Sequence, residues 1–323
     1  LEGVCEGRTH FLLPLEIHRQ GPVRIARLLG TDFSNLNTGL YSEDFHGPAA
    51  TEQLRQALQA ARGSLARAFD LLLIEKVPFA WRGVASPLAG LPSTRNQNAA
   101  FQLELLGGFE ETLTQLNAKR RRKKYRNSER RLAAMGGFEH VVAEPGAEAR
   151  ALLETFFRQK STRFEAMGLP DVFRDEETRN FFRRLADMPA TGTDYCLRLH
   201  ALRLTGDHEG HIAAITALSR KGDHVICQFG SIDDGTTAEA SPGEFLFHLA
   251  IQRVCEEQAR LFDFGIGDQP YKRSWCRIET PHHDILLPMT MTGRAAAAAH
   301  RAKTAAKRLI KQNPQVYAFV QRL

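Results

Sequence analysis

Residues 241–275, SPGEFLFHLAIQRVCEEQARLFDFGIGDQPYKRSW, hold most of the side chains in this sequence whose types and spacing could do chemistry. Ser241 in an N-cap position, Pro242 in the first helical position and Glu244 three residues after the cap predict a capping box at the start of a helix. Gly243 inside that first turn costs about 1 kcal/mol relative to Ala, so its presence predicts a close approach to the backbone. The unpaired N–H groups and positive dipole end of such a turn suit an anion, and a diphosphate fits without a Cβ in the way. An ordinary capped helix carries the same capping box, and the turn alone does not separate the two.

Further along, Asp263 lies inside the apolar strand LFDFG, where a carboxylate must be paired or turned out of the core. It is a candidate general base, with a salt bridge to Arg273 or Lys272 as the alternative. Lys272 follows an aromatic at the start of a short helix and could offset a developing oxyanion, its pKa shifted by partial burial; a surface lysine is the alternative. Tyr271 and Trp275 read as pocket walls, and Gln228, in the strand before the Ser241 turn, as a group that orients substrate. His282, His283 and Asp284 are adjacent rather than three or four apart on a helix, a poor arrangement for a metal, and none is expected. No cysteine stands in a Cys-His nucleophile pattern, so no covalent enzyme intermediate is expected.

These side chains need elements to hold them. Apolar alternation and turn residues predict two short strands within 23–41, a helix over 51–69, a buried strand in FDLLLIEKV, a strand over 99–106 and a long helix over 109–135. The breaker pair Gly136-Gly137 then opens a second round: a strand over 138–144, helices over 147–166 and 176–188, and a meander over 195–205, 210–219 and 224–231. The Ser241 helix, the strand 261–265, a short helix at Tyr271 and a strand over 284–291 follow. Both halves read strand, helix, several strands, helix, strand, a tandem α+β layout with helices packed on a mixed sheet in each. The expected domains are 1–135, ending in a basic helix, 136–292, and a basic Ala-rich helix over 293–323.

At 323 residues the chain has room for two domains, and 43% apolar and 25% charged residues are average globular values. No apolar run reaches the length of a membrane helix, no signal peptide is visible, and the initial Leu leaves room for a missing upstream piece. Five scattered cysteines with no C-x-x-C pair predict a reduced, cytoplasmic setting. A net charge of +6 favours anionic partners, and it is concentrated in two runs, 119–131 and 294–311. The first holds nine basic residues, one acid and Tyr125, which suits nucleic acid, a polyphosphate donor, a sugar nucleotide or a tRNA acceptor stem, with a solvated charge run as the alternative. The second reads as a solvated terminal helix or an anionic-surface contact.

The segments SPGEFLFHLAIQRV and FDFGIGDQPYKRSW, with the spacing between them, resemble the C-terminal half of the FemAB-like branch of GNAT acyltransferases, in particular the CelD type linked to bacterial cellulose synthesis. The resemblance covers roughly residues 138–291, and the basic helix LNAKRRRKKYRNSERRL is similar to the one that ends the first domain in this branch. It implies two tandem GNAT-like domains, each a mixed sheet with helices on both faces. It also implies that Ser241, Pro242, Gly243 and Glu244 bind the donor, that Lys272 lies near the reacting groups, and that Arg163 faces the cleft, a solvated helix arginine being the alternative. The implied donor is acetyl-CoA or another acyl-CoA. The implied acceptor is an amine or hydroxyl on a small molecule or a polysaccharide- or lipid-linked carrier, in cell-envelope or exopolysaccharide synthesis. The usual Gln/Arg-x-x-Gly-x-Gly/Ala signature is absent, since DDGTTAEASPG has no basic residue at the expected place, and relatives in this branch use aminoacyl-tRNA. That donor, and a non-catalytic nucleic-acid- or partner-binding role on a degenerate GNAT fold, are the alternatives.

Overall fold

The structure is a computed structural model that describes residues 1–233, 235 and 237–312. Strands β1 (Glu2–Cys5), β2 (Arg8–Leu12), β3 (Leu15–Gln20), β4 (Val23–Leu28) and β5 (Leu40–Tyr41) precede helices α1 (Gly47–Ala60) and α2 (Arg62–Ala68). β6 (Leu71–Pro78), β7 (Ala80–Trp81), β8 (Val84–Ala85) and the long β9 (Ser93–Glu104) lead to α3 (Phe109–Thr114) and α4 (Ala118–Ala134). Then come β10 (Phe138–Ala143), α5 (Ala147–Ala166), α6 (Glu176–Asp187), β11 (Tyr195–Leu204), β12 (Ile212–Lys221) and β13 (His224–Ile232). α7 (Pro242–Glu256), β14 (Leu261–Ile266), α8 (Pro270–Trp275), β15 (Ile278–Pro288) and α9 (Met291–Gln312) complete the described chain.

Two compact units interleave along the sequence, one from Leu1–Ala100, Ile266–Asp268 and Glu279–Leu323, the other from Phe101–Gly265 and Gln269–Ile278. In the first, β6 pairs antiparallel with β15 and parallel with β4, which pairs antiparallel with β3. The run LLLIEKVP is apolar on both faces because both are covered. Leu72 and Ile74 join Leu54, Leu58 and Leu65 of α1 and α2, whereas Leu71 and Leu73 join Ala297 of α9.

The second unit follows the same logic. β10, β11, β12 and β13 form an antiparallel meander, and β14 adds parallel to β13. Helix α7 lays Ala250, Ile251 and Val254 against Leu218, Val225 and Phe262 on one face. On the other, Phe156 of α5 packs 4.2 Å from Phe229 of β13, and Phe173 and Phe182 close around it. Cys227 and Phe229, two apart, serve opposite faces because of a bulge: Leu218 pairs with Cys227 and Ala217 with Phe229, leaving Gln228 as the extra residue. Both units are thus α+β, a mixed sheet with helices on both faces, as the sequence predicts.

Several elements differ from expectation. The helix expected over 51–69 begins at Gly47 after His46 and is interrupted at Ala61. The two strands within 23–41 do not pair with each other; β4 joins β3 and β6, and β5 joins β2. The helix expected over 109–135 breaks after Thr114 and restarts where the Asn117 side chain accepts from Arg120 N at 3.1 Å. Residues 118–134, expected to close the first half, lie in the second unit. The helix 147–166 has the expected bounds, and Gly136 and Gly137, at φ of +103° and +104°, do end α4.

Candidate functional site

β13 and β14 are parallel but pair only from His224↔Leu261 to Ile226↔Asp263, although both strands run further, to Ile232 and Ile266. The bulge at Gln228 falls where this pairing stops. Two parallel strands whose carboxyl ends lose contact leave the crevice in which α/β sheets take ligands. β13 then leads through a short 3-10 turn into the start of α7, and β14 leads into α8, so the turn 241–244 and Lys272 both follow from the parted strands.

Lys272 is 5% exposed, and burial lowers its pKa while Cys227 and Asp263 oppose that shift. Its Nζ donates to the Gly265 carbonyl at 3.3 Å, and the Gly265 N–H donates to Asp263 Oδ1 at 2.7 Å. One residue is therefore held through both its N–H and its carbonyl, at a glycine whose φ is +70°. Asp263 is fully buried and is satisfied by Gln102 Nε2 at 3.0 Å, with His224 Nε2 at 3.6 Å. Its hydrogen bonds thus come from Gln102 and Gly265, and its charge acts on Lys272, one of the two cations weighed from sequence. Tyr271 stacks on Phe247 at 5.5 Å and its hydroxyl pKa is raised by burial; Trp275 is 1% exposed. Gln228 donates to Ser219 Oγ at 3.0 Å. Arg163 is exposed in the last turn of α5, the helix on the opposite sheet face from α7.

The capping box does not form. Ser241 adopts φ 52° and ψ 53°, a left-handed conformation, and its side chain makes no cap bond. An N-cap oxygen reaches the next turn from the extended region, and the left-handed backbone does not present it so. Among the described residues the Gly243 and Glu244 N–H groups have no hydrogen-bond partner, so the turn keeps its donors. The Gly243 close approach is also present, but to protein: a Cβ there would lie 2.8 Å from Ile232 Cγ2.

Glu244 turns instead toward α4. Its carboxylate pairs with Lys124 and lies 3.7 Å from Arg121 Nη1. Arg121 is 8% exposed, donates to Ser274 Oγ at 2.6 Å and stacks 3.9 Å over the Trp275 ring. Burial, with Arg120 beside it, draws its guanidinium down to about 10. Tyr125 stacks on Phe245 and on His248, whose pKa burial lowers to about 4, with Arg121 adding to the effect. These groups enclose a pocket of only about 10 Å³. Sequence reasoning missed Arg121, Tyr125 and His248 as a cluster. The signal was there in Arg121, Tyr125, Ser128 and Leu132, a stripe at helical spacing through a run of charges. A roomier hollow of about 410 Å³ lies in the first unit, where Glu52 holds Arg55 and the Pro288 carbonyl holds Arg62.

With this geometry in place, residues 119–273 match the family described as acetyltransferase (GNAT) domain. That match identifies a GNAT-type domain within residues 119–273. Among curated proteins, no sequence matches it. Solved structures that share its fold include FemX, at 13% identity and TM-score 0.59 over 88% of this chain and 87% of that one. A putative lysylphosphatidylglycerol synthetase C-terminal domain from Agrobacterium fabrum matches at 15% and 0.52 over 91% and 87%. L-PGS from Bacillus licheniformis matches at 10% and 0.56 over 90% and 86%. The resemblance to the FemAB-like branch read from FDFGIGDQPYKRSW is borne out at the level of family and fold. No helix among the described residues is long and apolar enough to cross a membrane.

Proposed function

We propose that this GNAT protein transfers an acetyl or similar acyl group from acyl-CoA to an amine or hydroxyl acceptor. The observation that carries the reading is the early end of the β13–β14 pairing, with a donor-bearing turn after one strand and buried Lys272 after the other. The Gly243 and Glu244 N–H groups receive the donor's diphosphate, and the thioester carbonyl lies between the parted strands. Lys272, poorly solvated, offsets charge that develops on that carbonyl oxygen, where a fixed cation is worth most. Asp263 holds Gly265 through its N–H, the Gly265 carbonyl anchors Lys272, and the Asp263 carboxylate or a water accepts the acceptor's proton. Tyr271 and Trp275 line the site, Gln228 orients the acceptor from the bulge, and Arg163 would contribute from the far end of α5. The acceptor is a small molecule or a polysaccharide- or lipid-linked carrier. Isothermal titration with acetyl-CoA tests this: heat with the native protein that disappears in Gly243→Val supports it, and no heat with the native protein refutes it.

A second reading takes an aminoacyl-tRNA donor. Among the described residues Lys119, Arg120, Lys123, Arg126 and Arg130 of α4 are exposed or half-exposed with no ion-pair partner, a cationic face that suits a phosphate backbone. The name lysylphosphatidylglycerol synthetase, borne by one fold relative, points the same way. Salt-sensitive retention on charged tRNA, with no heat from acetyl-CoA, would favour it.

A further inference from the structure

Glu244 is a carboxylate where the reading above places a diphosphate, and it rests on two cations supplied by a different helix. Burying Arg121 on the stripe it shares with Tyr125, Ser128 and Leu132 has a desolvation cost that a structural role does not require, since an apolar residue at that position would pack against Trp275 without it. Trp275 lines the same enclosure, 1% exposed, and its buried indole Nε1–H has no hydrogen-bond partner among the described residues. An unpaired buried donor beside a buried guanidinium is the signature of a place meant for an acceptor atom that the protein does not itself provide. The first-turn N–H groups of Gly243 and Glu244 add two further donors. The enclosure measures about 10 Å³, which admits one water and nothing larger, so a bulkier anion enters only if a side chain leaves.

We propose that Arg121, Lys124 and Trp275 form the diphosphate subsite of the donor, and that Glu244 is a built-in competing anion that closes the subsite until the diphosphate displaces it. This rests on reading the 241–244 turn as an anion site. The physical logic is exchange: a diphosphate brings more negative charge and more acceptor oxygens than one carboxylate, so it takes Arg121 and Lys124 from Glu244, whose side chain is 20% exposed and can swing to solvent. The cost of that displacement weakens donor binding and keeps buried cations paired in the empty enzyme. An anion with one charge, such as acetate or chloride, gains little over Glu244 and does not open the site.

Trp275 reports on the exchange directly. The chain has two tryptophans, so in a Trp81→Phe background the emission is that of Trp275 with Arg121 over its ring. Inorganic pyrophosphate is titrated into this protein and into its Glu244→Gln and Lys124→Gln variants at fixed ionic strength, with circular dichroism as the fold control. The expected result is a saturable emission change, about tenfold tighter in Glu244→Gln and about tenfold weaker in Lys124→Gln, a substitution at a side chain 45% exposed that leaves packing intact. Equal pyrophosphate affinity in all three, or no emission change in any, overturns the proposal. Acetyl-CoA heat that both substitutions leave unaltered overturns this subsite while leaving the acyl-CoA reading in place. Pyrophosphate binding with the expected ranking but no acetyl-CoA heat leaves the subsite standing and removes that reading.

Discussion

Replacing Gly243 by Ala sets two opposed terms against each other. In the first turn of α7, Ala is favoured over Gly by at most about 1 kcal/mol through backbone entropy. The new Cβ, however, would lie 2.8 Å from Ile232 Cγ2, about 1 Å inside the optimal carbon–carbon separation. Ile232 is β-branched and stiff at χ1, so its methyl cannot swing aside cheaply, and overpacking of this kind costs about 1–3 kcal/mol. The net expectation is a loss of about 0–2 kcal/mol for Gly243→Ala alone. Ile232→Ala removes the obstructing methyl, so in that background Gly243→Ala should become neutral or stabilising, a coupling of about 1–3 kcal/mol. Urea denaturation of the wild type, both single variants and the double variant completes the cycle. A Gly243→Ala protein stabilised by the full helix-propensity difference in the presence of Ile232 would refute the close-packing argument, and a coupling near zero would do the same.

Lys272→Met keeps the volume of a buried side chain and removes its charge; acyl transfer, followed by release of the CoA thiol, should fall about 10²–10³-fold with little change in donor affinity, and unchanged turnover would remove Lys272 from the mechanism. His248 sets a pH dependence. Its folded pKa, about 4, lies below the unfolded value near 6.5, so the unfolded chain binds more protons between those values and stability falls as pH drops through that window, by roughly 3 kcal/mol at most. His248→Phe, which keeps the ring against Tyr125, should lose less stability between pH 7 and 4.5 than the wild type in paired denaturant titrations. Phe156→Ala, at a fully buried ring in contact with Phe229, should cost about 3–5 kcal/mol in the same assay, and a loss under about 1 kcal/mol would contradict the packing of α5 on β13.

Much of the fold is legible in the sequence because its signals are local. Helix 147–166 shows at its exact bounds, the meander shows through Gly206-Asp207 and Lys221-Gly222-Asp223, and the terminal helix shows through its alanines. Boundaries fail where a tertiary contact overrides periodicity. Arg62 breaks from the α1 stripe as its guanidinium donates to the Pro288 carbonyl, and Asn117 restarts a helix that composition alone would run through. Strand partners are less legible still, since β4 pairs with β3 and with β6, and nothing near residue 28 announces the parallel neighbour that begins at Leu71.

For the site, residue types were enough to select Lys272, Asp263 and the 241–244 turn, because an ionisable group inside an apolar run and a Pro-Gly helix start are local departures from what packing alone would choose. The three-dimensional arrangement alone decided what each one meets. Ser241 reads as a cap, yet its left-handed backbone withholds the cap bond, and Glu244 reads as the cap's partner, yet its carboxylate crosses to Lys124 and Arg121 on α4. Asp263 reads as a partner for a cation, and its hydrogen bonds go to Gly265 and Gln102. The physical reason is one of range: backbone preference and helical periodicity act over a few residues and are written in order along the chain, whereas the energy of a buried charge depends on whichever polar atom the fold brings within about 3 Å, and that atom can lie more than a hundred residues away.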